Sequence, residues 1–581
     1  MTDKKFFGFS DLAFFSMALA SFAGCAGMII YGAFHLIWLR VFFSQSTYYF
    51  ILGLTLVWAV TLIKASQEAG FDPKKFWQLH KTGILFSLLA ASFIFISVPK
   101  YFRVLSDETN LLSVARTMTF EKRVDNVTEG RWYYERFWPT ASSMEKRCFL
   151  FPFFTQLFHV AFGYHVYNVF ILNFFALWGL LFAVYLLLSP YISSGWSLIA
   201  LVCVLAQPVI TLSATSASYE VFNSLFIALV FLSLRWFLSS GTPVALQVLC
   251  LNLFMLANIR YESIIFLAVI IFFLFLSGYL NKKLIVSSPI LVLGPVFLFP
   301  WLAQRVVMAH EADSNLIGNS WMNAFQFDFI ANNVKLFFNF ILNWTGNLGY
   351  AGILNWLGLA IFFVLLGQLW FNPNFKIDKE KKFYSQVILL SLLFLFIAVL
   401  AYQGGINDHP LNGRFYLPIL IFFSVLPAIS LGAGWLGNKL SIRQGWLIAA
   451  ALFIFYHPIA MRDHLANDLV IIREDRLVRE FLNKNADQNA LIICGRPGQL
   501  TVDLRGAISF STANREKREI LDQYHNHLFS MIYVIQTFNY QTRGPLSDNV
   551  VDSIYALEPV TELQTGGGQY MRISKVRAPG V

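Results

Sequence analysis

Charged residues are scarce in this chain of 581 residues. Only 13% are Asp, Glu, Lys or Arg, whereas 57% are hydrophobic and 17% are aromatic. This composition leaves too little polar surface to cover a water-soluble globule, and it therefore excludes an ordinary soluble protein. Lipid is the expected solvent for most of the chain.

Cysteine and nucleotide-binding motifs are scarce as well. The five cysteines are scattered, without a CxxC pair and without a histidine at metal-ligand spacing, so no metal site is indicated. The CGRPGQ turn lacks the Rossmann fingerprint. The net charge of +10 comes mainly from short Lys and Arg clusters between apolar runs, which favours a role in membrane orientation and disfavours a nucleic-acid partner.

Apolar runs of about twenty residues, the length that crosses a bilayer, are abundant. About thirteen are predicted, near residues 12–39, 47–65, 82–101, 166–189, 195–214, 219–239, 243–259, 262–280, 284–304, 350–371, 384–404, 415–437 and 445–461. If the spans alternate, most Lys and Arg clusters fall on one side, which the positive-inside rule makes cytoplasmic together with the N-terminus. Three longer segments, 102–165, 305–349 and 462–581, then lie outside.

The last of these segments alternates helical and strand patterns. A helix at 466–484 precedes the strands ALIICG, AISFS and SMIYVIQTF, with a polar helix at 513–525 between the last two, and TGGGQYMRISKV predicts a turn and an edge strand. The predicted fold class is therefore a polytopic α-helical membrane protein with a small C-terminal soluble α/β domain.

Two adjacent carboxylates, Asp107 and Glu108, open the first outer loop. Acidic groups at a membrane boundary are costly unless they are solvated or used. In low-dielectric surroundings a carboxylate can act as a general base on a hydroxyl. The structural alternative is that Asp107 is the N-cap of a helix over NLLSVARTM.

Further charged residues are expected at the same outer boundary. They are Lys146, Arg147, Glu220, Arg260, Glu262, His409 and Arg414. Basic groups there suit a phosphate carried by a lipid, because Arg offers bidentate hydrogen bonds and Lys a point charge. Taken singly, each can also be a snorkelling side chain or a member of a local ion pair, such as Arg260 with Glu262.

The order of these features over residues 81–440 resembles the GT-C superfamily of membrane glycosyltransferases. That class includes protein O-mannosyltransferases (glycosyltransferase family 39) and the aminoarabinose transferases of bacterial lipid A. The segments that carry the resemblance are SDETNLLSVARTM, MEKRCFLFPFFTQLFHVAFGYHVYNVF with its short interfacial helix at 149–163, SASYEVFNSLF, IRYESIIFL and NGRFYLPILIFF. Two extra spans in residues 1–80 precede the core at 81–461, and the Pro-Pro that often follows Glu-Lys in the family is absent.

The resemblance implies transfer of a sugar from a polyprenyl-phosphate donor to an acceptor hydroxyl on the outer face, with inversion. Asp107 would be the catalytic base, and Glu108 would orient the acceptor or share the proton. The residues expected at the donor phosphate are Lys146, Arg147, Arg260 and Arg414, and those expected at the substrate or acceptor are Glu220, Glu262 and His409. No cofactor is required and a divalent metal is optional. The acceptor would be a glycan, a lipid or a protein, at the periplasmic side of a bacterial inner membrane.

Two other classes compete with this interpretation. A lipid or polysaccharide transporter, such as a flippase, also has many spans with a few buried charges, but transporters usually show repeats and helices broken near the membrane centre. No internal repeat is visible in this chain. An O-antigen ligase or polymerase is chemically close, but it is normally recognised by a large outer loop rich in Arg and His.

Overall fold

The structure is a computed structural model that describes residues 9–280, 289–310, 325–343, 350–371, 379–402, 410–434, 440–463 and 469–577. Within these ranges, ten helices are long and apolar enough to cross a membrane, or eleven spans if one bent pair is counted as a single span. The chain is therefore an integral membrane protein of the predicted helical class. A seven-stranded sheet is joined to the helices.

The described membrane part contains helices of very different length. They are α1 (Phe9–Phe34), α2 (Leu36–Glu68), α3 (Pro73–Ser97), α4 (Leu105–Phe120), α5 (Leu150–Phe162), α6 (Asn168–Leu188), α7 (Ser194–Leu205), α8 (Pro208–Ala214), α9 (Glu220–Ser240), α10 (Pro243–Ala257), α11 (Ile264–Leu280), α12 (Pro289–His310), α13 (Asp328–Leu336), α14 (Gly352–Phe371), α15 (Lys379–Leu400), α16 (Leu417–Gly432) and α17 (Ile442–Arg462). Short 3-10 turns cover Tyr261–Ser263 and Pro410–Tyr416.

Each predicted apolar run coincides with an apolar helix or with the bent pair. The pair is α7 and α8, which meet at 79° where the run at 195–214 was predicted as one span. Pro208 begins α8, and a proline has no N–H to continue the hydrogen bonds of α7. α10 is apolar but shorter than a full span. The same is true of Tyr261–Leu276, which comprises the 3-10 turn at Tyr261–Ser263 and most of α11. The short helix predicted at 149–163 is α5.

The tail contains the helices α18 (Val470–Asn485), α19 (Gly498–Thr501), α20 (Phe510–Arg515) and α21 (Lys517–His525). The strands are β1 (Asp125–Tyr133), β2 (Arg136–Met144), β3 (Leu491–Cys494), β4 (Gly506–Ile508), β5 (Ile532–Asn539), β6 (Leu557–Gly566) and β7 (Gln569–Val576), in the order β2-β1-β4-β3-β5-β7-β6. β3 pairs in parallel with β4 and β5, and the other pairs are antiparallel. The tail therefore has the predicted α/β character.

The final strand was predicted at an edge, and that prediction is wrong. β7 lies between β5 and β6, and β6 forms the edge. The β6 sequence LEPVTELQTG contains a proline and two acidic residues, so it lacks the apolar pattern of an inner strand. Charges and proline are typical of exposed edges, where they oppose pairing with another chain.

Two of the seven strands come from the segment 102–165, which the sequence analysis predicts as the first outer loop, and these strands were not predicted. β1 and β2 form a hairpin, and Gly130 of β1 pairs with Ala507 of β4 in the tail. Arg131 forms an ion pair with Glu516, and the Trp132 indole donates to the carbonyl of Leu504. The loop that carries Asp107 and the tail domain consequently share one sheet.

Candidate active site at the start of helix α4

Asp107 lies within the first turn of α4 and is not its N-cap, so the capping alternative is wrong. The N-cap position is occupied by Val104, which has no side-chain hydrogen-bonding group. The Glu108 carboxylate instead accepts the backbone N–H groups of Arg103 at 3.0 Å and Val104 at 3.2 Å. Glu108 thus satisfies donors at the helix start, and the Asp107 carboxylate is left for other partners.

Two arginines hold the Asp107 carboxylate, one on each oxygen. Arg147 donates to Oδ1 and Arg414 donates to Oδ2. The Asp107 side chain remains 19% exposed. Burial alone would raise the pKa of Asp107, but the charges of Arg147 and Arg414 outweigh it and hold that pKa well below its usual range. Asp107 is therefore ionised in this arrangement.

Glu220 extends this arrangement to a third arginine. Its Oε1 lies 3.5 Å from Nη1 of Arg414 and 3.9 Å from Nη1 of Arg260, and Arg260 also contacts Glu262. The result is an alternating network, here called the charge network, that consists of Arg147, Asp107, Arg414, Glu220, Arg260 and Glu262. Alternation of sign allows these buried charges to lie close together.

Aromatic rings separate the like charges of the network. The guanidinium carbons of Arg260 and Arg414 each lie 5.2 Å from the centre of the Phe415 ring, and that of Arg260 lies 5.1 Å from the Tyr219 ring. Cation–π contacts of this kind stabilise desolvated guanidinium groups. Neither ring was singled out from the sequence, although each directly precedes or follows a predicted site residue.

Lys146 stands beside the network and is exposed. Its positive charge contributes to the low pKa of Asp107, and within the described residues its ammonium forms no ion pair. The segment that carries it is fixed by α12. The Gln304 amide donates to the carbonyls of Glu145 at 2.6 Å and Arg147 at 2.8 Å, and Arg305 donates to the Lys146 carbonyl at 2.6 Å.

Gln304 and Arg305 were missed by the sequence analysis, although a signal existed. They form a polar pair at the outer end of an apolar run, which is the criterion that selected the other charges. Arg103 was also missed. Its guanidinium is buried, donates to the carbonyl of Leu212 at 2.7 Å, and forms an ion pair with Asp463 at 2.7 Å. Arg103 thereby anchors the segment before α4 to α8 and to the end of α17.

The structure brings together most of the predicted site residues. Six form the charge network, and Lys146 lies next to it. Glu108 is fully buried behind Asp107, and burial raises the pKa of Glu108 to about 8. His409 lies outside the described residues. No group of three or more metal-ligating side chains occurs in the part of the chain that the structure describes.

The charge network has hydrogen-bonding capacity that the protein itself leaves unused. Both carboxylate oxygens of Glu220, and Nε and Nη1 of Arg414, are buried and lack a hydrogen bond to any residue in the described ranges. Glu220 Oε1 and Arg414 Nη1 contact each other only as an ion pair, at 3.5 Å, and a hydrogen bond to a charged group contributes about 1.5–3 kcal/mol. A polar ligand that supplied partners at this point would recover that free energy.

An apolar cavity of about 160 Å³ lies below the network between α6, α9, α14, α15 and α16. Two of the helices that line it begin at the network, since α9 starts with Glu220 and α16 starts three residues after Arg414. On α9 the lining residues Ser224, Ile227, Ala228 and Phe231 recur at helical spacing on one face. Charge at the outer end and an apolar cavity beneath it suit an amphiphile with a long hydrocarbon chain.

No protein-family model matches the chain, and no curated protein matches it in sequence. Among solved structures it is similar to ArnT from Cupriavidus metallidurans bound to undecaprenyl phosphate, with a TM-score of 0.52, 10% identity, and coverage of 86% of this chain and 98% of that chain. The apo state of ArnT aligns over 87% and 99% of the two chains at 10% identity, with a TM-score of 0.49. The bound structure shows that the chain has an ArnT-like fold, as the GT-C resemblance predicted.

Proposed function

We propose that the chain is a membrane glycosyltransferase that moves a sugar from a polyprenyl-phosphate donor to an acceptor hydroxyl on the outer face of the membrane. The observation that carries this proposal is the Asp107 carboxylate held between Arg147 and Arg414 at the start of α4. ArnT, which has the same fold, was solved with undecaprenyl phosphate bound, and this supports a polyprenyl phosphate as the ligand here.

The donor would lie with its phosphate at the charge network and the first carbons of its hydrocarbon chain in the apolar cavity below. Lys146, Arg147 and Arg414 would contact the phosphate, with Arg supplying paired N–H donors and Lys a compact charge. Arg260 would support Arg414 through Glu220, which lies between them. Glu220 and Glu262, predicted on the substrate side, would orient these arginines, and no metal or cofactor is assigned.

In the chemical step, Asp107 would accept the proton of the acceptor hydroxyl while the oxygen of that hydroxyl attacks the anomeric carbon of the sugar. The bond between that carbon and the phosphate oxygen breaks, and the phosphate leaves with the bonding electrons. A single displacement of this kind inverts the anomeric configuration. The arginines and Lys146 would stabilise the charge that develops on the leaving phosphate.

The same arginines set when Asp107 can act as a base. While both are bonded to Asp107, its pKa lies too low for efficient proton abstraction. A donor phosphate competes for the guanidinium groups and weakens their hold on the carboxylate. Binding of the donor would therefore raise the basicity of Asp107, so that the base becomes effective only when the electrophile is in place.

The proposed location is the inner membrane of a bacterium, with the N-terminus in the cytoplasm and the tail domain in the periplasm. The distribution of Lys and Arg between the apolar runs supports this orientation. It places Asp107, the charge network and the shared sheet on the side where a lipid-linked sugar is available and cytosolic nucleotides are not.

The test is transfer of radiolabelled sugar from a panel of polyprenyl-phosphate donors by the purified protein in lipid nanodiscs. We compare wild type with Asp107→Asn, a near-isosteric change that removes the base. Asp125→Asn is the matched control, because Asp125 lies in the same loop and pairs with Arg123, which is half exposed. Transfer by wild type and by the control, but not by Asp107→Asn, is expected.

Two results would contradict the proposal. Full transfer by Asp107→Asn would move the role of base to another carboxylate. A transporter would be favoured by two results together. Wild type would transfer no sugar from any donor of the panel, and in proteoliposomes it would move a fluorescent polyprenyl phosphate across the membrane.

A further inference from the structure

Two cavities meet between the tail domain and the start of α4. The first, about 790 Å³, is lined by Ser106 and Asn110 of α4, by residues of β1, and by the segment 496–499 of the tail. The second, about 460 Å³, lies at the end of β3 and beside the middle of β5. The cavities share Val470, Ile471, Arg496 and Gln499 as lining residues, so they are adjacent, and together they are here called the interdomain cleft.

The tail end of this cleft lies where ligands bind in many α/β proteins. β3 and β5 run in parallel, with Cys494 beside Ile535; β3 ends at the cleft, and β5 lines it with Ile535 and Thr537 before it continues to Asn539. The carboxyl ends of parallel strands form a crevice that is open to ligands because the chain leaves the sheet there in loops. The loop after β3 contributes Arg496 and Gln499 to both cavities.

The other end of the cleft reaches the first turn of α4, which also carries the proposed base. Ser106 is exposed and lines the cleft, and the next residue is Asp107. Ser106 and Asn110 lie on one face of α4, one turn apart. A long molecule in the cleft would therefore extend from the end of β3 to the first turn of α4.

The charged groups along the cleft are largely neutralised by the protein. Arg103 pairs with Asp463, and Asp475 pairs with Arg479 at 2.7 Å. Glu129 accepts hydrogen bonds from the Ser509 N–H and the Thr512 hydroxyl, each at 3.0 Å. Arg496 lies close enough to Glu474 for their charges to interact. The cleft therefore offers little net charge to an ionic ligand.

Neutral polar groups remain for recognition. The side chains of Asn110, Thr128 and Gln499 line the cleft, are partly exposed, and make no hydrogen bond to a residue of the described ranges. Amides supply both donors and acceptors, and a threonine hydroxyl supplies one of each kind. This set matches a ligand with many hydroxyl groups.

We infer that the interdomain cleft binds the acceptor and that the acceptor is a carbohydrate chain. This inference rests on the proposed function, because it assigns the acceptor of that reaction. A saccharide laid along the cleft would bond to the amides of Gln499 and Asn110 and present a hydroxyl beside Ser106 to Asp107. The tail domain would then determine which glycan is modified.

The test measures retention of the full-length protein, in lipid nanodiscs, on an array of immobilised oligosaccharides. The variants are Gln499→Leu, Asn110→Leu and the double variant, which remove amides but keep a similar volume. Gln541→Leu is the matched control, since Gln541 is exposed in a turn outside the cleft. Unfolding midpoints of all proteins identify any variant that fails to fold, and binding of undecaprenyl phosphate is measured in parallel.

We expect wild type and Gln541→Leu to be retained on a subset of the oligosaccharides. Each cleft variant should bind them about threefold to tenfold more weakly, the effect of one lost hydrogen bond, and the double variant more weakly still. Asp107→Asn should be retained on the same oligosaccharides as wild type, because its cleft is intact.

The inference is overturned if folded cleft variants bind the oligosaccharides as wild type does. It is also overturned if wild type binds undecaprenyl phosphate but is not retained on any oligosaccharide. The same holds if wild type binds only the peptides that are added as competitors. Those results leave the proposed transferase standing with a different acceptor. If wild type is retained on oligosaccharides but does not bind undecaprenyl phosphate, the result would instead contradict the polyprenyl-phosphate donor of the proposed function.

Discussion

Arg414 donates a hydrogen bond to the Asp107 carboxylate although 307 positions separate the two residues in the chain. Asp107 belongs to the first turn of α4, and Arg414 belongs to the 3-10 turn before α16. Their contact joins the first outer loop to a helix near the end of the membrane part. It also keeps the proposed base ionised and occupied until another anion competes for Arg414.

Removal of Arg147 or Arg414 should weaken donor binding. For Arg147→Gln and Arg414→Gln we expect the Kd for undecaprenyl phosphate to rise about tenfold to a hundredfold, which corresponds to a lost charge-assisted hydrogen bond. Binding is measured by quenching of tryptophan fluorescence in nanodiscs. Arg123→Gln, which alters a half-exposed arginine in the same loop, should bind as wild type does. Unchanged affinity for undecaprenyl phosphate in both Arg147→Gln and Arg414→Gln would show that the phosphate does not bind at the charge network.

The raised pKa of Glu108 predicts a pH dependence of stability. Its pKa is about 8 in the folded protein and about 4.5 when unfolded, so its contribution to stability is complete below about pH 4.5 and is lost as the pH rises through about 8. Glu108→Gln keeps the neutral form at all pH values. The unfolding midpoint of wild type should therefore fall relative to that of Glu108→Gln between about pH 5 and about pH 9. A constant difference over this range would show that Glu108 is ionised in the folded protein.

The buried ion pair between Arg103 and Asp463 should couple strongly in stability. Arg103→Met removes the guanidinium that pairs with the buried Asp463 carboxylate, and breaking a buried ion pair from one side costs about 3–5 kcal/mol. Asp463→Asn is the suitable partner substitution, because Asp463 has a φ of 45° and asparagine tolerates this left-handed conformation. Chemical denaturation of the single and double variants should give a double variant that is less destabilised than the sum. Additive losses would mean that the two charges do not interact.

Gly130 should be essential for the union of the hairpin and the tail. A Cβ at this position would come within 2.2 Å of the Phe137 ring in the neighbouring strand. Gly130→Ala should therefore destabilise the shared sheet by about 1–3 kcal/mol and expose the hairpin to limited proteolysis. At Gly544 a Cβ would meet nothing closer than 3.7 Å, so Gly544→Ala is the matched control. Equal protease resistance of the two variants would contradict this account of the sheet.

The parts of the fold that depend on local pattern could be predicted from the sequence. In lipid every spanning segment must satisfy its own backbone hydrogen bonds, so apolar runs become helices whatever their neighbours are. The same logic identified Asp107, Arg260 and Arg414, because charges at the ends of such runs need a reason to be there. Alternation of the spans predicted that these residues lie at the same membrane boundary, but their contacts in one network are visible only in the structure.

Other features have no local signal. The hairpin of β1 and β2 mixes polar and aromatic residues without a regular alternation, and its partner strand β4 lies more than three hundred positions later, so no periodicity indicates the pairing. The role of Glu108 was hidden for a different reason. Adjacent carboxylates look equivalent in sequence, but successive residues of a helix point in different directions, and only one of the two side chains faces the arginines.

The shared sheet also dictates the order in which the molecule can be completed. As the chain leaves the ribosome, the hairpin is made early, whereas the strand that covers its free edge is among the last segments to be synthesised. Until then, β1 presents unpaired backbone groups that can join another chain. A product truncated before residue 506 would therefore lack more than the tail, since the hairpin of β1 and β2 would stay without its partner strand β4 beside an otherwise inserted membrane part. Completion of the site is in this sense a checkpoint on full-length synthesis.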